Sequence, residues 1–242
     1  GRFTTKARRH KGGDRLGGWV VQPFGRIFLT RVIMKYRLVI FDSDGTLADT
    51  LPWMRSQFNE LAEEHGFRKV EAHEYERFRD LHGSALLREL GLPLWKLPRV
   101  VSAMRRRMAE HTGEFSTFPG ISAALARFAA GGAQLGIVSS NSRENVERVL
   151  GEEDARRITN WACGVSMLGK AAKLRQVIRQ GGVPRAKAIY IGDEIRDAEA
   201  AAKAGIAFGA VTWGQHGVEA LGTQNPAEVF ASVKEMADKL CA

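Results

Sequence analysis

The sequence predicts an α/β protein built on a parallel sheet, with a helical unit inserted into it, and three observations carry that expectation. From Tyr36 onward short apolar runs alternate with helical stretches. Those runs are too short for buried helices, and each ends in polar residues or glycine. The stretch between Thr50 and Phe118 departs from the alternation, with several charged, helix-favouring segments and no convincing strand. At 242 residues, 44% hydrophobic and 26% charged, the chain suits one or two packed domains and is too apolar for a disordered protein.

Residues 1–33 show neither helical nor strand periodicity. They hold Arg2, Lys6, Arg8, Arg9, Lys11, Arg15, Arg26 and Arg31 against Asp14 alone, so seven of the nine net positive charges lie there and the body is nearly neutral. This basic leader is read as flexible or as no part of the domain, which begins at Met34. A secretory signal needs an apolar core that Arg26 and Arg31 interrupt, and a transit peptide would be rich in Ser. A nucleic-acid-binding arm is the rival reading; basic runs with one or two aromatics are more often simply solvated.

Four strands follow from the apolar runs: Leu38 to Phe41, Gln134 to Val138, Ala188 to Ile191 and Ile206 to Val211. Between the last three lie helices from Arg143 to Leu150 closed by Gly151, from Lys170 to Gln180 closed by Gly181-Gly182, and from Ile195 to Ala204 closed by Gly205. In the insert, one helix carries Pro52 in its first turn and an apolar stripe at Met54, Phe58, Leu61 and Ala62. Another runs from about Pro98 to His111 with Val100, Val101, Met104 and Met108 on one face, and Pro119-Gly120 returns the chain to the α/β body. The stripes read as packing between helices.

A membrane-spanning segment is not expected, because the best candidate, Trp19 to Met34, is broken by Arg26 and Arg31. Two distant cysteines, Cys163 and Cys241, without a CxxC pair, signal neither a disulfide framework nor a zinc knuckle and fit a reducing compartment, the cytoplasm.

The chemistry concentrates where strands end. Asp42 and Asp44, with Gly45 and Thr46, sit just past the first strand, the edge at which open α/β sheets bind ligands. Two carboxylates so close need a cation, a proton or solvent, and a divalent metal is the simplest answer. An isolated Asp-Gly would only mark a turn, but a second acidic cluster, Asp193, Glu194 and Asp197, follows the strand ending at Ile191. Asp193 and Asp197 are four apart, which predicts a shared helix face, and helix capping is the plainer account of that cluster taken alone. Two acidic strand ends on one sheet edge suit a hard cation such as Mg²⁺. Ser139, with Ser140 and Asn141, follows the second strand, and Lys170 opens a helix after Gly169; a hydroxyl, helix-start N–H groups and an ammonium suit a phosphoryl group.

Taken in order, Asp42-Ser43-Asp44-Gly45-Thr46, Ser139, Lys170 and Gly192-Asp193-Glu194-Ile195-Arg196-Asp197 resemble the four motifs of the haloacid dehalogenase superfamily, over Met34 to about Leu240. The first motif is highly specific, the fourth fairly so, and the other two rest on position. The helical insert, Gly169-Lys170 and Tyr190 to Glu194 are similar to the phosphoglycolate-phosphatase-like branch. The resemblance implies a Rossmann-like three-layer α/β/α core over residues 34–50 and 118–242, with an all-helical cap over 51–117. It implies Asp42 as nucleophile forming an aspartyl-phosphate, Asp44 as general acid and then base, and Ser139 and Lys170 on the phosphoryl oxygens. Mg²⁺ would be held by Asp42, the backbone carbonyl of Asp44 and Asp193, with Asp197 steadying the metal or Lys170. The resemblance implies a small phosphorylated metabolite as substrate and no membrane partner, and it disfavours nucleic acid as a partner.

Asp44 disfavours dehalogenation, since the founding dehalogenases lack this second aspartate and need no Mg²⁺. Phosphonate cleavage would call for a cap lysine, and nothing marks Lys69 or Lys96 as desolvated. A phosphomutase using the same Asp42 chemistry and a non-catalytic phospholigand-binding protein remain compatible with the motifs. Lys173 rivals Lys170 but is expected to face solvent. The six histidines form no HxH or HxxxH pair, and His82 at a helix end could reach a substrate only if the insert closes over the site. Trp53 is expected in the core of the insert and Cys163 as a buried small hydrophobe.

Overall fold

The computed structural model describes residues 34–79, 81, 83–164 and 169–241. The basic leader over 1–33 and His82 therefore lie outside the described residues. A six-stranded sheet forms the centre, with β1 (Leu38–Phe41), β2 (Gln134–Val138), β3 (Ile158–Ala162), β4 (Ala188–Gly192), β5 (Ala207–Val211) and β6 (Glu228–Phe230) in the order β3-β2-β1-β4-β5-β6. Every pairing between these six strands is parallel.

A parallel strand covered on both faces must be apolar at every position. All four side chains of β1 are 0% exposed, and they divide by the period of two that strand geometry imposes. Val39 and Phe41 pack with Ile121, Leu125 and Phe128 of α5 (Ile121–Ala130), with Val146 of α6 (Arg143–Arg157) and with Met236 and Leu240 of α10 (Val233–Leu240). Leu38 and Ile40 pack on the other face, with Leu174, Val177 and Ile178 of α7 (Lys170–Gly181), Ala201 of α8 (Ile195–Ala204) and Leu221 of α9 (Val218–Gly222). These are the three layers of the expected α/β/α arrangement.

The described residues of 51–117 contribute helices and no named strand: α1 (Leu51–His65), α2 (Tyr75–Arg79), α3 (Gly83–Glu89) and α4 (Leu97–Glu110). Val70, Phe78, Leu90 and Leu92 form a core of their own. A second cluster, Trp53, Met108 and Phe115, places Trp53 inside, as its sequence context implied. The two chain crossings into this segment are zipped together. Asp49 N–H donates to Ser116 O at 2.9 Å and Phe118 N–H to Leu47 O at 2.9 Å, around a bridge between Ala48 and Thr117. No described helix is long and apolar enough to cross a membrane.

Gly151, at φ 77°, ψ 163°, ends the first helical stretch of α6 as its sequence position implied, and a second stretch follows directly as far as Arg157. Two expectations need correction. The last long strand starts at Ala207, one residue later than its apolar run. Cys163 is half-buried against the first core; burial still pushes its thiol up to about 12.

Candidate active site

Strand order reverses at β1, which is flanked by β2 and β4, so three neighbouring strands deliver their carboxyl ends to one crevice. Asp42 leaves β1 there, Ser139 leaves β2 and Asp193 leaves β4. The turn after β1 is wound on one carbonyl. Ser43 O accepts from Thr46 N–H at 3.2 Å, Leu47 N–H at 2.9 Å and Ala48 N–H at 2.9 Å. Gly45 occupies this turn at φ +76°, and a Cβ there would stand 2.2 Å from Asp193 Oδ2; the loops after β1 and β4 touch only because Gly45 has no side chain.

Asp42 is buried and gripped from both sides. Its Oδ1 accepts Ser43 N–H at 2.8 Å and its Oδ2 accepts Lys170 Nζ at 2.5 Å. Lys170, also buried, spends a second hydrogen on Asp197 Oδ1 at 2.6 Å. Burial works against this ammonium, but Asp197 and Asp42 outweigh it and hold Lys170 above its ordinary value, hence charged. Asp197 Oδ1 also accepts Tyr190 O–H at 3.2 Å and its Oδ2 accepts Glu194 N–H at 3.2 Å. Both of its oxygens are thus engaged, and it fixes Lys170 against Asp42. Lys173 is outside this set and donates to Gln176 at 3.1 Å.

The shared helix face expected for Asp193 and Asp197 is not found. Glu194 is the N-cap of α8, so Asp193 stands in the preceding turn, and Asp197 is the third helical residue of a reciprocal capping box with Glu194. The two carboxylates nevertheless meet: Asp42, Asp193 and Asp197 each offer an oxygen within 4.8 Å of the others. Asp193 is locked by Thr46 O–H to Oδ1 at 2.7 Å and by Gln215 N–H to Oδ2 at 2.7 Å.

Asp44 is partly exposed. Thr50 O–H donates to its Oδ1 at 3.0 Å, and Asn141 Nδ2 approaches both oxygens at 3.3 and 3.2 Å. Desolvation raises its pKa against those hydrogen bonds, which favours a carboxyl that can carry a proton. Ser139 Oγ accepts Asn141 N–H at 3.0 Å, and that leaves its own hydrogen to donate. Ser142, not Ser139, caps α6, accepting from Asn145 N–H at 3.2 Å.

The charge balance points to a cation. Burial and Asp197 push Asp42 up to about 7 although Lys170 opposes the shift. Burial, with Glu194, Asp197 and Asp42 around it, holds Asp193 well above the usual carboxylate range. Arg196 is paired with Glu194 and relieves Asp42 only in part. An all-oxygen donor set carrying this excess negative charge fits a divalent metal.

Several participants were not anticipated. Thr46, Thr50 and Tyr190 support the carboxylates, and Trp213 to His216 close the site after β5. Trp213 Nε1 donates to Thr46 O at 3.1 Å, His216 N–H to Asp193 O at 3.1 Å, and a Cβ on Gly214 would lie 2.3 Å from Asp193 Cβ. The signal for that loop was available, since it too follows a strand's carboxyl end.

An acidic crevice at the carboxyl edge of a parallel sheet, with one buried lysine joining two of its aspartates, is the site of a hydrolase family that the four motifs resembled. Residues 39–211 match the family described as haloacid dehalogenase-like hydrolase, and the chain belongs to it. Phosphoglycolate phosphatase of Synechococcus elongatus is 34% identical over 177 residues, which cover 73% of this chain and 84% of that protein. Phosphoglycolate phosphatase 1 of Pseudomonas aeruginosa is 23% identical over 227 residues, covering 89% and 81%. Among solved structures, a haloacid dehalogenase-like family hydrolase from Streptococcus pneumoniae superposes with a TM-score of 0.69 at 20% identity, covering 85% of this chain and 98% of that one. CbbY from Rhodobacter sphaeroides in complex with phosphate does so with a TM-score of 0.60 at 23% identity, covering 83% and 96%. These superpositions establish the fold.

Proposed function

We propose that this hydrolase is a Mg²⁺-dependent phosphatase acting on a small phosphate monoester of the phosphoglycolate type, through an aspartyl-phosphate on Asp42. The observation that carries the reading is Asp42 itself: a carboxylate held rigid by Ser43 N–H and Lys170 at the carboxyl end of the central strand, with Asp44 two residues on and tethered by Thr50 and Asn141. Its relatives named phosphoglycolate phosphatases support the substrate class.

Asp42 attacks phosphorus, forming an O–P bond as the bond to the ester oxygen breaks, and Asp44 gives its proton to the departing alkoxide. Water then displaces the phosphoryl group from Asp42, and Asp44 takes the proton that water releases. The third hydrogen of the Lys170 ammonium and the hydroxyl of Ser139 hold phosphoryl oxygens as charge develops. Asp42, the Asp44 carbonyl and Asp193 would hold the metal, which when bound cancels repulsion between the carboxylate and the phosphate. Asp197 acts by orienting Lys170. Residues 51–117 serve as a cap on a catalytic core formed by 34–50 and 118–242, and the enzyme works in the cytoplasm on a small metabolite without nucleic acid.

The test is phosphate release from a panel of small esters, with Mg²⁺ and with chelator, beside Asp42→Asn. Turnover that requires the metal and falls by about three orders of magnitude in the variant is expected. Turnover undiminished by Asp42→Asn would overturn the mechanism.

A further inference from the structure

The tether between Asn141 and Asp44 works only with the amide turned one way. Asn141 Nδ2 lies 3.3 and 3.2 Å from the two Asp44 oxygens. The reversed amide would set its carbonyl oxygen against those oxygens and give up the donors that hold them. The two arms of a carboxamide have nearly the same shape, so hydrogen bonds decide the orientation more than packing does. On the side away from Asp44, Asn141 Oδ1 accepts Ser142 N–H at 2.9 Å and Asn145 Nδ2 at 3.0 Å. Met108 Sδ, a weak acceptor, adds a contact to Asn141 Nδ2 at 3.6 Å.

Asn145 is the third residue of α6 and 1% exposed. Its Nδ2 serves two acceptors: Asn141 Oδ1, and the backbone carbonyl of Arg105 in α4, also at 3.0 Å. Its own Oδ1 is buried and has no hydrogen-bond partner. An unmet buried carbonyl costs stability, so what this side chain supplies is its two donations. Arg148, three residues on, gives the comparison. Its Nη1 donates to Ala109 O at 3.1 Å and ties the same two helices together. Of these two ties, only that of Asn145 continues to Asn141 and Asp44.

Resting on the phosphatase reading above, we propose that Asn145 is a positioning residue for the departure of the leaving oxygen: it fixes the orientation of the Asn141 amide, and through it the place of the Asp44 carboxyl, with Arg105 O of α4 as its outer anchor. Proton transfer depends on hydrogen-bond geometry, so a carboxyl that loses its tether serves the leaving oxygen poorly. The attack of Asp42 and the hold of Lys170 on it do not pass through this chain of amides. The loss therefore depends on the leaving group. The alkoxide of an alkyl ester departs with help from a proton, whereas a nitrophenolate departs without one.

The experiment compares kcat/KM for phosphoglycolate and for p-nitrophenyl phosphate in wild type, Asn145→Ala, Asn145→Ser and Arg148→Gln, with melting curves to verify folding. Asn145→Ala is expected to lower the value for phosphoglycolate by about 10-fold or more and that for the nitrophenyl ester by less than about 2-fold. Asn145→Ser, which keeps a hydroxyl and disturbs packing less, should show the same split in smaller measure. Arg148→Gln loosens the same helix pair without touching Asn141, so it should change both esters alike. Equal losses on the two esters in the Asn145 variants, no loss on either, or the same split in Arg148→Gln would overturn the assignment of Asn145 while leaving the phosphatase reading intact. A wild-type enzyme that hydrolyses neither ester overturns both.

Discussion

A lysine ammonium buried between two carboxylates has little room for compromise, and Lys170 shows how residue-scale electrostatics can be read out. Removing it with Lys170→Met leaves Asp42 and Asp197, formerly 2.5 and 2.6 Å from the ammonium, buried without their counter-charge. Breaking a buried pair in this way typically costs about 3–5 kcal/mol. The cost should depend on pH. Burial and Asp197 have already raised Asp42 to about 7, above its value in the unfolded chain, and loss of Lys170 raises it further. A carboxyl raised by folding is neutral and harmless at low pH, and its contribution to stability is lost as pH climbs through the folded value. Denaturant titrations of metal-free protein should therefore find Lys170→Met far more destabilised at about pH 8 than at about pH 5. A deficit that does not change with pH would mean that packing, not charge, is what Lys170 supplies.

At the scale of elements, the site depends on loops that approach one another more closely than side chains allow. Gly45, at φ +76°, is where the turn after β1 meets Asp193 from the end of β4. Gly45→Ala adds left-handed strain of about 1–3 kcal/mol and a methyl that must displace the Asp193 carboxylate. The expected result is a lower melting temperature with a larger rise in the Mg²⁺ concentration needed for half-maximal activity; unchanged metal dependence would place Asp193 outside the metal site. This contact also marks the boundary of what the sequence discloses. β1, β2 and β4 were legible because strands buried on both faces are continuous apolar runs, and the aspartates were legible because they follow those runs directly. β3, Ile-Thr-Asn-Trp-Ala, and β6, Glu-Val-Phe, were not, since edge strands keep polar residues such as Thr159 and Asn160. Asp193 and Asp197 were read as helical neighbours, while the chain places a strand-to-helix turn between them. Asn141 acts across the fold, and no local pattern announces a partner 97 residues away, as Asp44 is from Asn141.

For the whole molecule, the same excess of negative charge that disfavours the empty crevice becomes a source of stability once ligands arrive. Three strands of the central sheet end in the site, so anything bound there is held by the element around which both hydrophobic cores are organised. A ligand that binds only the folded protein adds about 2.7 kcal/mol when present at a hundredfold excess over its dissociation constant. For a chain of this size each kcal/mol moves the melting temperature by about 2–4 °C, so saturating Mg²⁺ should raise it by about 5–10 °C, with inorganic phosphate adding to that only when the metal is present. The order of addition follows from charge: phosphate meets Asp42 and Asp44 as repulsive neighbours until a cation lies between them. Asp193→Asn should abolish the Mg²⁺ increment and, with it, the phosphate increment. Thermal melts over a matrix of metal and phosphate concentrations at constant ionic strength measure this coupling directly, and independent increments from the two ligands would show that they do not share one site.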